Sequence, residues 1–259
     1  DCLDTRTGRV EHYSEGVDSY GLTHSSVWCL QKDGQGTIWA GTYFGGVNYF
    51  NPEYAIYRFF QKEDNPSEGL SSPIVGNMLE DKRGHIWICT EGGGLNCYNA
   101  DTGIFTRYQH RKGDASSVGS NNLKSIFYRK ENERLYVGAH LGGIFVLDLK
   151  SNKGHTLHNI VGDPTSLPHE IVNDIQEYKD GLALLTQGGV AFMDPVTEKF
   201  SPLSNDVNVR KLLNKRYAFE TFLIDSRQRM WLASVNGGVI CVDLPSSKIT
   251  EYAMDPVRT

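Results

Sequence analysis

A glycine doublet recurs five times along this chain, beginning at Gly45, Gly93, Gly142, Gly188 and Gly237, with successive copies 46 to 49 residues apart. Two further landmarks keep register with it. Six residues before each doublet stands a large apolar residue: Trp39, Trp87, Tyr136, Leu182 or Trp231. Six residues after each doublet begins stands Asn51, Asn99, Asp148, Asp194 or Asp243. Three positions held together through five copies define a structural unit, and a period of this size restricts it to one supersecondary module repeated side by side.

The module reads as strands. In the second copy "PIVGNMLE" predicts a first strand, "DKRG" (81–84) a hairpin turn and "HIWICT" a second strand. "EGGG" then makes a turn, "LNCYN" a third strand, "ADTG" another turn and "IFTRY" a fourth strand. Short runs of Val, Ile, Tyr and Trp bounded by Gly, Asp, Asn and Pro are the pattern of strands joined by tight turns. The doublets are expected to supply positive φ where a side chain would clash. Four antiparallel strands per unit, repeated, predict an all-β chain: a β-propeller of four-stranded antiparallel blades. No long helical pattern competes, so the glycines read as blade punctuation and not as a phosphate-binding loop.

The two ends fit the same frame. "DCLDTRTGRVEHY" (1–13) matches the end of a third strand, a turn and a fourth strand, with Asp4 on the Asn51/Asp148 landmark. "AMDPVRT" (253–259) matches "VGDPTS" (161–166), the link into a next first strand. The expectation is a single propeller over 1–259. It would hold five complete blades (21–68, 69–118, 119–166, 167–208 and 209–259) and the outer strands of a sixth (1–20), as a fragment of a seven-bladed ring.

Composition narrows the partners. A formal net charge of −5 with 22% charged residues offers no basic face for nucleic acid. No apolar run approaches the roughly 18–20 residues that span a bilayer, so no membrane contact by this segment is expected. The five cysteines lack CxxC spacing and fall on or beside predicted strands, which reads as buried thiols. Cys97 and Cys241 share one repeat position that Tyr49 fills in the first copy, so packing governs it, not metal ligation.

The units resemble the two-component regulator propeller repeat, roughly "GL(S/T)xxxVxxxxxDxxGxIWxGTxxGGLxxYDPxTGxFxxY". Residues 21–52 and 69–108 match it closely, and the third and fifth copies match from the aromatic residue onward. The fourth is degenerate, with Leu182 for Trp and no D-x-x-G turn. The resemblance implies the periplasmic sensor region of a hybrid two-component system, in which two propellers precede a β-sandwich, a membrane helix and a cytoplasmic histidine kinase. It also implies recognition of a glycan-derived oligosaccharide. This segment, without sandwich, membrane helix or kinase, is expected to be non-catalytic.

In a propeller the loop between the second and third strands lies at the same end as the connection between blades, around the channel where small ligands bind. The candidate ligand-binding residues are therefore Tyr43, Phe44, Glu91, His140, Gln187 and Asn236 from the former loops, with Asn121 and Asn122 from the latter. A fixed scaffold with varied tips suits recognition. The aromatic residues would face the C–H surface of a sugar, and the amides and carboxylates would meet its hydroxyls. His24, Ser25, Ser71, Ser72, Lys124, His169 and Glu170 share the connections, where the competing reading is that such residues only shape turns. Trp39, Trp87 and Trp231 recur mid-strand and read as core, whereas Trp28 stands outside that position.

Enzyme readings are weaker. "HTLH" (155–158) lies on an outer strand, Glu91 and Glu170 are the chief channel carboxylates for glycosidic cleavage, and no G-x-S-x-G motif occurs. No catalytic residue, metal site or cofactor is expected. Expected partners are an oligosaccharide and further propeller or β-sandwich segments of a parent chain. The alternative is a structural or protein-interaction propeller without a small ligand, able to form a homodimer through exposed strand edges.

Overall fold

The computed structural model describes residues 2–3, 8, 10–12, 15, 21–51, 56–216 and 218–252. Near its start β1 (Cys2–Leu3) pairs antiparallel with β2 (Val10–Glu11). The Leu3–Val10 pairing has the offset that Leu147–Gly154 has later in the chain, although most of residues 1–20 and all of 253–259 lie outside the described residues.

Five four-stranded antiparallel sheets follow, each in simple sequence order and each within one repeat. The chain divides into two compact units. The first holds blade I, with β3 (Val27–Lys32), β4 (Ile38–Thr42), β5 (Val47–Asn51) and β6 (Ile56–Phe60). It also holds blade II, with β7 (Val75–Glu80), β8 (His85–Thr90), β9 (Gly94–Asn99) and β10 (Ile104–Tyr108). These last four strands are the four expected from the sequence of the second copy.

The second unit begins with blade III, made of β11 (Leu123–Arg129), β12 (Arg134–Ala139), β13 (Ile144–Asp148) and β14 (Lys153–Leu157), apart from the start of β11, which clusters with the first unit. Blade IV comprises β15 (Val172–Tyr178), β16 (Gly181–Thr186), β17 (Gly189–Met193) and a short β18 (Phe200–Pro202). The sequence reading did not single out α1 (Val207–Leu213), which follows and is N-capped by Asp206 with bonds from Asn208 N and Val209 N at 2.9 Å each. Its Val209, Leu212 and Leu213 are buried on one face. Blade V closes the described chain with β19 (Phe219–Ile224), β20 (Arg229–Ser234), β21 (Val239–Asp243) and β22 (Lys248–Tyr252).

The first hairpin of a blade is built by an aspartate and a tryptophan. In blade II, Asp81 Oδ1 accepts from Arg83 N at 2.8 Å and His85 N at 3.1 Å, which folds the turn. Its other oxygen accepts from Trp87 Nε1 at 2.9 Å, tying the turn to the next strand. Asp33 and Trp39 repeat this at 2.8 Å, and Asp225 and Trp231 at 3.0 Å. Blade III substitutes an amide and a phenol, Asn132 donating to Tyr136 OH at 3.0 Å.

The glycine doublet divides its work between two residues. The second glycine has positive φ: +78° at Gly46, +81° at Gly94, +69° at Gly143 and +116° at Gly189. The first glycine in blades I to IV does not; there the expectation of positive φ is corrected to one of close approach. A Cβ on Gly93 would sit 2.3 Å from Ser71 Oγ, and one on Gly45 would sit 2.4 Å from Thr23 Oγ1. The adjacent connection lies where a side chain would be.

Core residues fill the space between neighbouring blades within each unit. In the first, Trp39 packs with Ile86, Ile88 and Phe105, and its ring stacks 5.2 Å from Tyr49 and 6.0 Å from Phe60. Trp39, Trp87 and Tyr136 are 4%, 3% and 0% exposed, which settles them as core. In the second unit, Tyr136, Ile144 and Val146 pack on Val172, Leu182 and Leu184, while Ala183 and Leu185 pack on Phe222, Met230, Leu232 and α1. Fully burying one such aliphatic side chain contributes about 1.5–3 kcal/mol. Trp231 is half-buried, stacked on Tyr252 at 5.9 Å.

Blade IV corrects one landmark. Its β16–β17 loop is one residue shorter, so Thr186 pairs with Gly189 as Thr90 pairs with Gly94. Counting back from that pair, Ala183, opposite Phe192, takes the place of Trp87, opposite Cys97. Leu182 is one residue out of phase and faces blade III.

Candidate functional site

In blades I, II, IV and V the loop between second and third strands is pinned to the connection leading into its own blade: Tyr43 N donates to Ser26 O, Glu91 N to Ile74 O, Gln187 N to Ile171 O and Val235 N to Ala218 O, at 3.0–3.2 Å. Most are pinned again to the connection leading into the next blade, by Gly46 N to Pro73 O, Gly94 N to Asn121 O and Gly143 N to Glu170 O. The two kinds of loop therefore share one end of the blades, as expected. The backbone spends its polar groups on this frame, leaving side chains to decide what the surface can recognise.

Most polar candidates on the connections hold the frame as well. His24 Nδ1 and His169 Nδ1 accept from the backbone N–H two residues on, at 3.0 Å and 3.1 Å. Ser71 is clipped to Asn96 by bonds of 3.0 Å and 2.9 Å, and Ser72 Oγ donates to Glu91 O at 2.6 Å. Asn122 Oδ1 accepts from Gly92 N at 2.7 Å. Glu170 turns to its own connection, with Oε1 on Asn159 N at 2.7 Å and Oε2 on His158 Nδ1 at 3.1 Å. These bonds tie the connections to their own turns and to the loop tips.

The aromatic candidates behave differently. In the first unit Tyr43 stacks on Trp28, with ring centroids 5.1 Å apart and planes 17° from parallel. Phe44 meets the edge of Tyr43 at 4.3 Å, and His24 stands 6.4 Å from Phe44. Trp28 and Phe44 remain 54% and 55% exposed. A bulge between Val27 and Cys29 sets the register around Trp28. The sequence reading left Trp28 unassigned, because the repeat gives that position no fixed residue type; blade II has Gly76 at the same distance from its landmarks.

Glu91 and Asn121 lie half-buried and Asn122 exposed along the loop end of blade II and the connection that follows it. In the second unit His140, Gln187 and Asn236 stand on three successive blades. No hydrogen bond or ring contact joins those three among the described residues. His140 Nδ1 is buried without a hydrogen-bond partner. The paired histidines of "HTLH" diverge, His155 binding Glu198 at 2.7 Å and His158 binding Glu170. The thiols are packed: Cys29 donates to Gly76 O at 2.8 Å, and burial pushes Cys29 and Cys97 up to about 12.

Two stretches that carry these latches and clipped connections match a known repeat. The model of the two-component regulator propeller matches residues 21–44 and 69–92. In both repeats the matched residues run from the inter-blade Gly-Leu through the Asp–Trp latch to the loop tip. Solved structures agree on the architecture. The extracellular domain of a protein described as a hybrid two-component system of B. thetaiotaomicron aligns with a TM-score of 0.72 at 22% identity, covering 88% of this chain and 30% of that one. The extracellular domain of a protein described as a one component system of the same organism gives 0.70 at 21% identity, covering 89% and 31%. PorZ, a surface component of the type-IX secretion system of Porphyromonas gingivalis, gives 0.66 at 15%, covering 95% and 35%. This chain thus spans about a third of their length. At these identities the likeness establishes the β-propeller fold. No match was found among curated proteins. No helix among the described residues is long and apolar enough to cross a membrane.

Proposed function

We propose that the chain is part of a non-catalytic, extracytoplasmic sensor propeller that recognises a glycan-derived oligosaccharide. In this reading it is a periplasmic piece of one seven-bladed ring, with residues 1–20 in a sixth blade, and reports to a membrane-linked histidine kinase. The observation that carries the ligand class is the exposed Trp28–Tyr43–Phe44 cluster at the loop end of blade I. Flat aromatic faces match the C–H surface of a pyranose, and rigid rings lose little conformational entropy on binding. Glu91, Asn121 and Asn122 supply acceptors and donors on the same unit, in the manner of ligand sites that add a few polar groups to an apolar surface.

The test is titration calorimetry against a panel of plant and host oligosaccharides. One sugar is expected to saturate, with Trp28→Ala and Tyr43→Ala each weakening it at least tenfold. Silence across the panel, from this chain and from one extended through its neighbouring domains, sinks the reading. The protein-interaction alternative draws on exposed Leu30 (65%) on β3 and on Leu223 (55%) and Tyr252 (52%) of blade V. Sedimentation analysis separates it: concentration-dependent self-association without sugar binding favours that alternative.

A further inference from the structure

Blade IV ends its sheet differently from the blades before it. In blade III β14 pairs with β13 all the way from Asp148 to Ile144, and in blade II β10 pairs with β9 as far as Leu95. In blade IV β18 stops opposite Ala191, at Pro202, which has no N–H to extend a ladder. The place of the missing strand end is taken by α1. A Cβ added to Gly94 would meet Tyr108 O at 2.4 Å, and one added to Gly143 would meet Leu157 O at 2.2 Å, each from the last residue of a fourth strand. On Gly189 the same contact, at 2.5 Å, is with O of Leu213, the last residue of α1. The chain therefore leaves the sheet at Pro202 and rejoins the loop of its own blade at Leu213. An open hollow of about 120 Å³ lies there, lined by Pro164, Pro168, Gly189, Phe200, Pro202 and Asn214 among others.

The detour also brings charge to the hollow. Four of the seven residues from 210 to 216 are cations, Arg210, Lys211, Lys215 and Arg216, in a chain of net charge −5. All four are exposed, and none forms an ion pair among the described residues. A helix C-terminus favours cations in its last turn, which accounts for Arg210 and Lys211. It does not account for Lys215 and Arg216, which lie beyond the Asn214 cap. Arg210 and Lys211 stand four and three residues before Asn214, the spacing of neighbours on one helix face, and Lys215 follows it directly. Since Asn214 lines the hollow, these cations stand at its rim. Asp163, beside Pro164, has Oδ1 committed to Thr165 N at 2.8 Å and to Thr165 Oγ1 at 2.7 Å. Gln187, next to the doublet of this loop, is half-buried, and its side-chain amide makes no hydrogen bond among the described residues.

We propose that this hollow is a second sugar subsite, taking a ring that carries a carboxylate or sulfate group. The inference rests on the sugar reading above and adds to it the charge of the ligand. The apolar lining meets the C–H face of the ring, the amides of Asn214 and Gln187 meet its hydroxyls, and the cations meet the anion. It is tested by NMR titration of the whole chain with a galacturonate oligosaccharide, its methyl ester, a sulfated oligosaccharide, inorganic sulfate and a glutamate peptide. An acidic sugar is expected to shift the amides of Gly189, Asn214 and Lys215 saturably, and the tighter of the two assigns the anion as carboxylate or sulfate. The methyl ester, which keeps the rings and loses the charge, is expected to bind at least tenfold more weakly. So is either acidic sugar to a variant combining Lys215→Gln and Arg216→Gln, two exposed positions outside the helix. Equal binding of the methyl ester, inorganic sulfate or the glutamate peptide, or unchanged binding in that variant, would overturn the subsite. If a neutral sugar binds through Trp28 and Tyr43 while neither acidic sugar shifts Asn214, the subsite falls and the sugar reading stands. Silence from every sugar, with this chain and with the extended one, overturns both.

Discussion

The smallest unit of order in this chain is a single carboxylate answering several donors. Asp81 is 5% exposed and satisfies Arg83 N, His85 N and the Trp87 indole at once, so its removal orphans three donors in a place with little water. Each buried unsatisfied donor costs about 1–3 kcal/mol. Asp81→Ala is expected to destabilise the protein by at least about 3 kcal/mol in chemical denaturation, and Trp87→Phe by less, since the aspartate then keeps two of its donors. Equal losses would mean that ring packing, not the latch, dominates. The latch was legible in the sequence as D-x-x-G-x-x-W spacing, although the bond from indole to carboxylate was not. Arg107 was illegible: an arginine on an outer strand reads as solvated, and only the folded connection 61–70 reveals four carbonyls converging on it.

At the scale of strands and loops, the glycine pairs show how one letter can satisfy two different demands. Gly94 needs its positive φ of +81°, whereas Gly93 needs the room that Ser71 occupies. Gly84 offers a control, with φ +76° and only the tip of Glu80 within 4 Å of an added Cβ, at 3.8 Å. Gly84→Ala is expected to cost about 1–2 kcal/mol from backbone conformation alone. Gly93→Ala is expected to cost more, because Ser71 backbone carbon would lie 2.9 Å from the new Cβ and the connection must move. Urea midpoints of the two variants decide it, and a milder effect at Gly93 would show that the connection yields freely. The repeat period made the blades legible because strand number and turn chemistry are local. Blade IV was misphased because aligning on glycines ignores a loop shorter by one residue, and strand faces alternate with every residue. The candidate site was legible only as far as its loops. Which of His24, Ser72, Asn122, His169 and Glu170 serve turns depends on bonds between connections and loop tips, which no local pattern encodes.

Across the molecule the same turns, summed, set the response to acid. Asp114, Asp163, Asp225 and Asp243 are held below the usual carboxylate range chiefly by side-chain bonds, from Ser116, Thr165, Trp231 and Ser246. Asp148 and Asp194 are held there chiefly by backbone bonds from Ser151 and Val196. A carboxylate with a depressed folded value contributes stability that is complete above its unfolded value, near 3.9, and is lost as pH falls through the folded value. Asp174 opposes them. Burial raises it above the ordinary value, so the folded state takes up its proton first, and acidification through that raised value favours folding. Six groups against one give the sign: the urea midpoint should stay level from about pH 7 to pH 5 and fall steeply below about pH 4. Asp225→Asn, which gives up one depressed group, should be less stable at neutral pH and lose less on acidification. Asp174→Asn should make the acid loss steeper, because the one opposing group is gone. A wild-type midpoint unchanged down to pH 3 would show that turn carboxylates, although bonded, are not what the folded blades depend on.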